Sequence, residues 1–207
     1  MEYSALKYIY TPLATPGAHT LLLLHGTGGN ENDLIPLAKN FGDGYNILSV
    51  RGNVSENGMP RFFKRLGMGI FDEDDLRFRT NELVHFIQSI ADTEGFDIKK
   101  LIALGYSNGA NIAGATLVQY PDFLAGAILY RPMQPYRQLP EFSVKRAVPV
   151  FISSGSADPT VNSIEIQNYI TSLEKAGFKV SFNNLPTGHN LVQQDISLAA
   201  EWLSTIL

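Results

Sequence analysis

The sequence predicts an α/β protein with a mostly parallel central sheet flanked by helices. From Thr20 onward, short apolar runs alternate with longer segments of helical period, the pattern of βαβ units. The runs are apolar throughout, without polar alternation, as burial of both faces of a parallel sheet requires. The 207 residues, 44% hydrophobic and 17% charged, are enough for one well-cored domain. No internal repeat or low-complexity stretch divides them, so a single domain over residues 1–207 is expected.

In chain order the buried strands are expected at 20–24, 46–50, 101–104, 125–130 and 148–152. The more polar run 179–185 reads as an outer strand. Helices are expected at 32–40, 74–91, 108–120, 163–176 and 191–206. The second opens on Asp72-Glu73-Asp74-Asp75, negative charge that complements the helix dipole and is read as structural. Gly95 and Gly177 are stop signals. Between the second strand and its helix, residues 53–71 form a long connection carrying Phe62, Phe63, Leu66, Met68 and Phe71. So much apolar surface in a connection marks a binding loop or small lid-like insertion. Phe62, Phe63 and Phe71, with Met133 from the other side, are the candidates to contact substrate.

Sixteen basic and 20 acidic side chains give a formal charge of -4, and the basic doublets are Lys99-Lys100 and Lys145-Arg146. That is no footprint for a phosphate backbone, so no nucleic-acid partner is expected. Without a cysteine, disulfides, thiolate metal sites and cysteine nucleophiles are excluded together. Met1-Glu2-Tyr3-Ser4 has no basic segment leading into an apolar one, and the apolar run at 21–24 is too short to span a bilayer. A cytoplasmic protein without membrane association is expected.

The chemistry is carried by Gly105-Tyr106-Ser107-Asn108-Gly109, which lies between a predicted strand and a predicted helix. G-x-S-x-G in that context holds the serine on a strained turn with its hydroxyl exposed, and the glycines let strand and helix approach. The partners must follow in the order acid, then histidine. Of His19, His25, His85 and His189, only His189 follows Ser107, so it is the candidate base. Asp122, Glu141, Asp158, Glu165 and Glu174 lie between, and only Asp158 comes just after the end of a buried strand. The run Leu24-His25-Gly26-Thr27-Gly28-Gly29 is a strand entering a glycine-rich loop of the kind that supplies an oxyanion donor. The backbone N–H groups of Thr27 and Asn108 are the expected donors, with His25 propping the loop.

Two other classes fit the sequence less well. A dinucleotide site would need glycine where Glu31 stands and an acid near Ser49-Val50-Arg51, so the spacing fails. A catalytically silent ligand-binding or sensor protein on the same fold is the alternative, and the ordered Ser107, Asp158, His189 set argues against it. Arg51 and Arg131, each just after a predicted strand, either orient a carboxylate or pair with surface acids. Pairing with surface acids is the expected role.

These residues resemble the carboxylesterase and acyl-protein-thioesterase-like branch of the α/β-hydrolases, and the likeness covers nearly the whole chain. It is strongest to small bacterial hydrolases grouped with the hydroquinone-resistance hydrolases. The motifs that carry it are Asn57-Gly58-Met59-Pro60-Arg61-Phe62-Phe63, Gly69-Ile70-Phe71-Asp72-Glu73-Asp74-Asp75-Leu76 and Gly105-Tyr106-Ser107-Asn108-Gly109-Ala110-Asn111-Ile112. The resemblance implies Ser107 as nucleophile, Asp158 and His189 as its partners, and Thr27 and Asn108 as oxyanion donors. It further implies a small ester-like substrate, no metal or organic cofactor, a cytoplasmic location and often a homodimer.

Overall fold

How the apolar runs divide between the two faces of a sheet determines the architecture. The computed structural model describes residues 3–206, so the expectation resting on Met1 and Glu2 lies outside the described residues. The chain runs through β1 (Tyr8–Thr11), β2 (His19–Leu24), α1 (Ile35–Ala38) and β3 (Tyr45–Val50). Four short strands follow, β4 (Val54–Glu56), β5 (Met59–Arg61), β6 (Arg65–Gly67) and β7 (Ile70–Phe71), and then α2 (Glu73–Glu94). The second half comprises β8 (Leu101–Tyr106), α3 (Asn108–Gln119), β9 (Gly126–Tyr130), β10 (Pro149–Gly155), α4 (Ser163–Lys175), β11 (Lys179–Leu185) and α5 (Gln193–Ile206).

Seven strands form one sheet in the order β1-β3-β2-β8-β9-β10-β11. Every neighbouring pair is parallel except β1 with β3. Alternate residues of each strand point to opposite faces. Leu22 and Leu24 of β2 join Ala103 of β8 and Leu129 of β9 in a core that includes Leu83 and Phe86 of α2, Ile112 of α3 and Tyr169 of α4. Leu21 and Leu23 face the other way and pack with Leu104, Ile128 and Phe151 against Ala38 of α1 and Leu203 of α5. The uninterrupted apolar run in β2 thus feeds two cores at once, and the result is three layers.

Helix ends follow their local chemistry. The Asp72 carboxylate accepts the Asp75 N–H at 3.1 Å to open α2, and Gly95 closes it in the left-handed conformation. The Asn162 side chain accepts the N–H groups of Ile164 and Glu165 to open α4.

Several elements differ from expectation. The helix expected at 32–40 shrinks to α1 and a 3-10 turn at Lys39–Phe41, because Pro36 belongs in a first turn. The strand β1 went unanticipated: four residues on an antiparallel edge carry too short a pattern. The 53–71 excursion folds into two small two-stranded pieces, β4 with β5 and β6 with β7. No helix among the described residues is long and apolar enough to cross a membrane.

Candidate active site

Ser107, Asp158, His189 and the 25–29 loop all follow the C-terminal ends of parallel strands: β8, β10, β11 and β2 respectively. That rim is where open α/β sheets bind ligands. Ser107 has φ 51 and ψ -111, a conformation rarely adopted by a residue with a side chain. The turn is possible because of its glycines. A Cβ on Gly105 would lie 2.5 Å from the Gly109 carbonyl oxygen, and one on Gly109 would lie 1.9 Å from the Leu24 carbonyl oxygen. The start of α3 is thereby pressed onto the end of β2, next to the glycine-rich loop.

A chain of hydrogen bonds runs through the three side chains. Ser107 Oγ is 2.9 Å from His189 Nε2, and His189 Nδ1 is 2.7 Å from Asp158 Oδ2. The Asp158 side chain is fully buried, whereas about a third of His189 is exposed. Burial pushes the Asp158 carboxyl up, but hydrogen bonds from the hydroxyl and N–H of Thr160, and then from the His189 ring, more than offset this. The net is a carboxyl below the usual carboxylate range. A carboxylate held ionised against one imidazole nitrogen leaves the other free to accept a proton from the serine hydroxyl.

Above the serine, no acceptor in the described protein takes the backbone N–H of Thr27 or Asn108. Around them the backbone is tied down. Gly28 N–H donates to the Pro60 carbonyl at 2.9 Å, and the Arg61 guanidinium donates to Thr27 Oγ1 at 2.6 Å and the Phe63 carbonyl at 3.1 Å. Asn108 Oδ1 accepts the Phe62 N–H at 2.7 Å. The 60–63 segment therefore braces both free N–H groups. His25, with 1% of its surface exposed, sits beneath the loop. Its Nδ1 donates to the Gly26 carbonyl at 2.6 Å and its Nε2 accepts the Gly52 N–H at 3.0 Å. That pairing requires the neutral ring, and burial accordingly holds its pKa down.

The four candidates for substrate contact separate. Phe62 and Phe63 are 3% and 0% exposed within the core, Phe62 tilted against His25 and Phe63 edge-on to Phe71. This corrects the expectation that their rings face a substrate: the backbone of this segment serves the site, and the rings anchor it. Phe71 and Met133 line a cleft of about 380 Å³ shared with Gln134, Arg137 and Glu165. Met133 N–H donates to Asn111 Oδ1 at 2.8 Å, and Asn111 N–H donates to the Ser107 carbonyl. The cleft wall is therefore attached one helical turn from the serine.

The arginines also separate. Arg51 pairs with Glu31 and stays partly exposed, as expected. Arg131 does not pair with a surface acid: it is 1% exposed and binds Asp195, itself fully buried. Sequence reasoning had no signal for this pair, since its members lie 64 residues apart in otherwise unremarkable contexts.

A family model described as phospholipase/carboxylesterase matches residues 11–207. MhqD of Bacillus subtilis (strain 168), named as a hydrolase, is 46% identical over 199 residues, which is 95% of this chain and 97% of that protein. The crystal structure of a Bacillus cereus carboxylesterase superposes with a TM-score of 0.94 at 44% identity, covering 98% of this chain and 95% of that one. A carboxylesterase structure from Mesorhizobium loti gives 0.88 at 26% identity over 96% of this chain and 94% of that one.

Proposed function

The chain belongs to the phospholipase/carboxylesterase family of α/β-hydrolases and is a carboxylesterase-type hydrolase, and we propose that it cleaves esters, or thioesters, through an acyl-enzyme on Ser107. Ser107 Oγ attacks the carbonyl carbon as His189 Nε2 takes its proton. Asp158 holds the ring with Nδ1–H toward its carboxylate. The tetrahedral oxyanion is received by the N–H groups of Thr27 and Asn108, each worth roughly 3–4 kcal/mol in such sites. His189 then protonates the leaving group, and water activated by the same ring releases the acid.

The observation that carries this reading is the unbroken chain from Ser107 Oγ through His189 to Asp158, at 2.9 and 2.7 Å. The free N–H groups of Thr27 and Asn108 support it independently. Phe71 and Met133 supply an apolar wall for a small acyl or aryl group, with Gln134, Arg137 and Glu165 giving the cleft a polar side. One sheet running from residue 8 to residue 185 supports reading the chain as a single domain.

The test is labelling by a fluorophosphonate probe together with p-nitrophenyl acetate turnover, with Ser107→Ala as the control. The parent should label and Ser107→Ala should not, with kcat down by orders of magnitude. Parental turnover by Ser107→Ala would overturn the reading, and an unlabelled, inactive parent would favour a binding protein. Extending the screen to short, long, aryl and thioester substrates resolves the acyl donor.

A further inference from the structure

His189 sits in a loop, and a loop does not by itself hold an imidazole to within tenths of an ångström. The carbonyl groups around it are nevertheless all engaged. The Thr187 carbonyl accepts the Ala157 N–H at 3.0 Å, and the Gly188 carbonyl accepts Arg131 Nε–H at 3.1 Å. The His189 carbonyl accepts the Tyr106 hydroxyl at 3.2 Å, and the Asn190 carbonyl accepts Arg131 Nη2–H at 3.2 Å. Arg131 Nη2 also donates to Thr187 Oγ1 at 3.0 Å. One guanidinium therefore grips the chain on both sides of His189.

The guanidinium is itself held in place. Asp195 takes Arg131 Nη1 and Nη2 at 2.8 Å each in a two-pronged pair. It also accepts the Ser153 hydroxyl and the Val192 N–H. Burying such a pair costs much of what its attraction returns, so stability alone is a weak reason for it. Arg131 adopts φ 55, a conformation unfavourable for a residue with a side chain. It lies directly after β9, whose last residue, Tyr130, accepts the Ser107 N–H at 2.9 Å through its carbonyl. The strand end that fixes the nucleophile's backbone thus continues into the side chain that clamps the histidine loop.

We infer that Arg131, oriented by Asp195, is a positioning residue for His189: its planar fork sets the 187–190 loop so that the imidazole spans Ser107 and Asp158. Its side chain is fully buried and hydrogen-bonds to none of Ser107, Asp158 and the His189 ring. The inference rests on the proposed role of His189. The chemical requirement is for a flat donor with several N–H groups at fixed angles, which lysine does not provide.

Arg131→Lys keeps the charge opposite Asp195 and loses the fork. Folding is checked by circular dichroism and urea unfolding. With the fold intact, kcat for p-nitrophenyl acetate should fall by about a hundredfold, the scale of a misplacement near 1 Å, with KM within about twofold. The low-field imidazole Nδ1 proton signal of the parent should broaden or vanish in its NMR spectrum. A purely structural role would leave kcat and that resonance unchanged in the folded variant, and this result overturns the inference. Should Arg131→Lys not fold, Thr187→Val carries the test, because it leaves the ion pair intact and removes one contact of the fork. A smaller fall in kcat at constant KM supports the inference, and parental kcat refutes it. His189→Ala separates the two levels: parental turnover there would sink the role of His189 itself. Loss of turnover there beside a fully active Arg131→Lys would sink the clamp alone.

Discussion

The Thr160 hydroxyl donates to Asp158 Oδ1 at 2.7 Å while lying 3.0 Å from His189 Nδ1, so the carboxylate facing the imidazole through Oδ2 is held through its other oxygen. The Thr160 N–H reaches the same oxygen at 2.9 Å. Thr160→Val removes the hydroxyl and keeps the N–H. A hydrogen bond to a charged group contributes about 1.5 kcal/mol or more. We expect kcat to fall roughly tenfold, with KM unchanged, in steady-state kinetics on a p-nitrophenyl ester. Unchanged kcat would mean that the backbone contact alone suffices.

Three groups in and around the candidate site contribute to the pH dependence of stability. Burial lowers the His25 pKa in the fold, so the unfolded chain binds the extra proton first. That stability is complete above about pH 6.5 and is lost as pH falls toward the lower folded value. Asp158 and Asp195 also titrate below their ordinary value. For each, burial pushes upward, but hydrogen bonds outweigh it, from Thr160 and His189 in one case and from Arg131, Ser153 and Val192 in the other. Their contribution is present above about pH 3.9 and is lost as pH falls through the folded values. Urea midpoints should therefore decline in two stages on acidification. His25→Gln should flatten the first stage, and a decline unaltered by that change would refute the assignment.

Gly109→Ala should abolish the active fold. The added methyl would lie 1.9 Å from the Leu24 carbonyl oxygen, and a helix pinned in the centre of the sheet cannot retreat from it. We expect destabilisation beyond about 4 kcal/mol, seen as a collapse of soluble yield or of the urea midpoint. A folded, active Gly109→Ala enzyme would contradict the packing described.

Thr27→Ala tests which part of Thr27 matters. Its hydroxyl only tethers the loop to Arg61, whereas the proposed donor is the N–H, which alanine keeps. The drop in kcat should be far smaller than the roughly 10²–10³-fold that follows loss of an oxyanion donor. A loss of that full size would assign the work to the hydroxyl instead.

The buried strands were readable because covering both faces of a sheet leaves no place for polar residues, as Leu21 to Leu24 illustrate. Ser107 was readable because its turn demands glycine on both sides. His189 stood out by elimination, and the fold brings it between Ser107 and Asp158. The rest depended on pairings that no local pattern encodes. Tyr8–Thr11 gains its strand from β3, and Arg131 gains its meaning from an aspartate 64 residues further along the chain, in α5. Phe62 and Phe63 looked like pocket residues because apolar side chains in a long connection resemble a lid, when these two in fact bolt it to the core. The dipeptide Asn57-Gly58, with φ 52 and 83, was an available hairpin signal for β4 and β5.

The position of β11 at the end of the strand order has a kinetic side. An edge strand has a neighbour on one flank only, and such elements exchange their amide protons through partial opening well before a molecule melts as a whole. Ser107 hangs from an interior strand and His189 from this edge. Warming should therefore separate His189 from Ser107 first, so that activity fades below the global melting temperature and returns on cooling, with the Arg131 guanidinium setting the width of that gap.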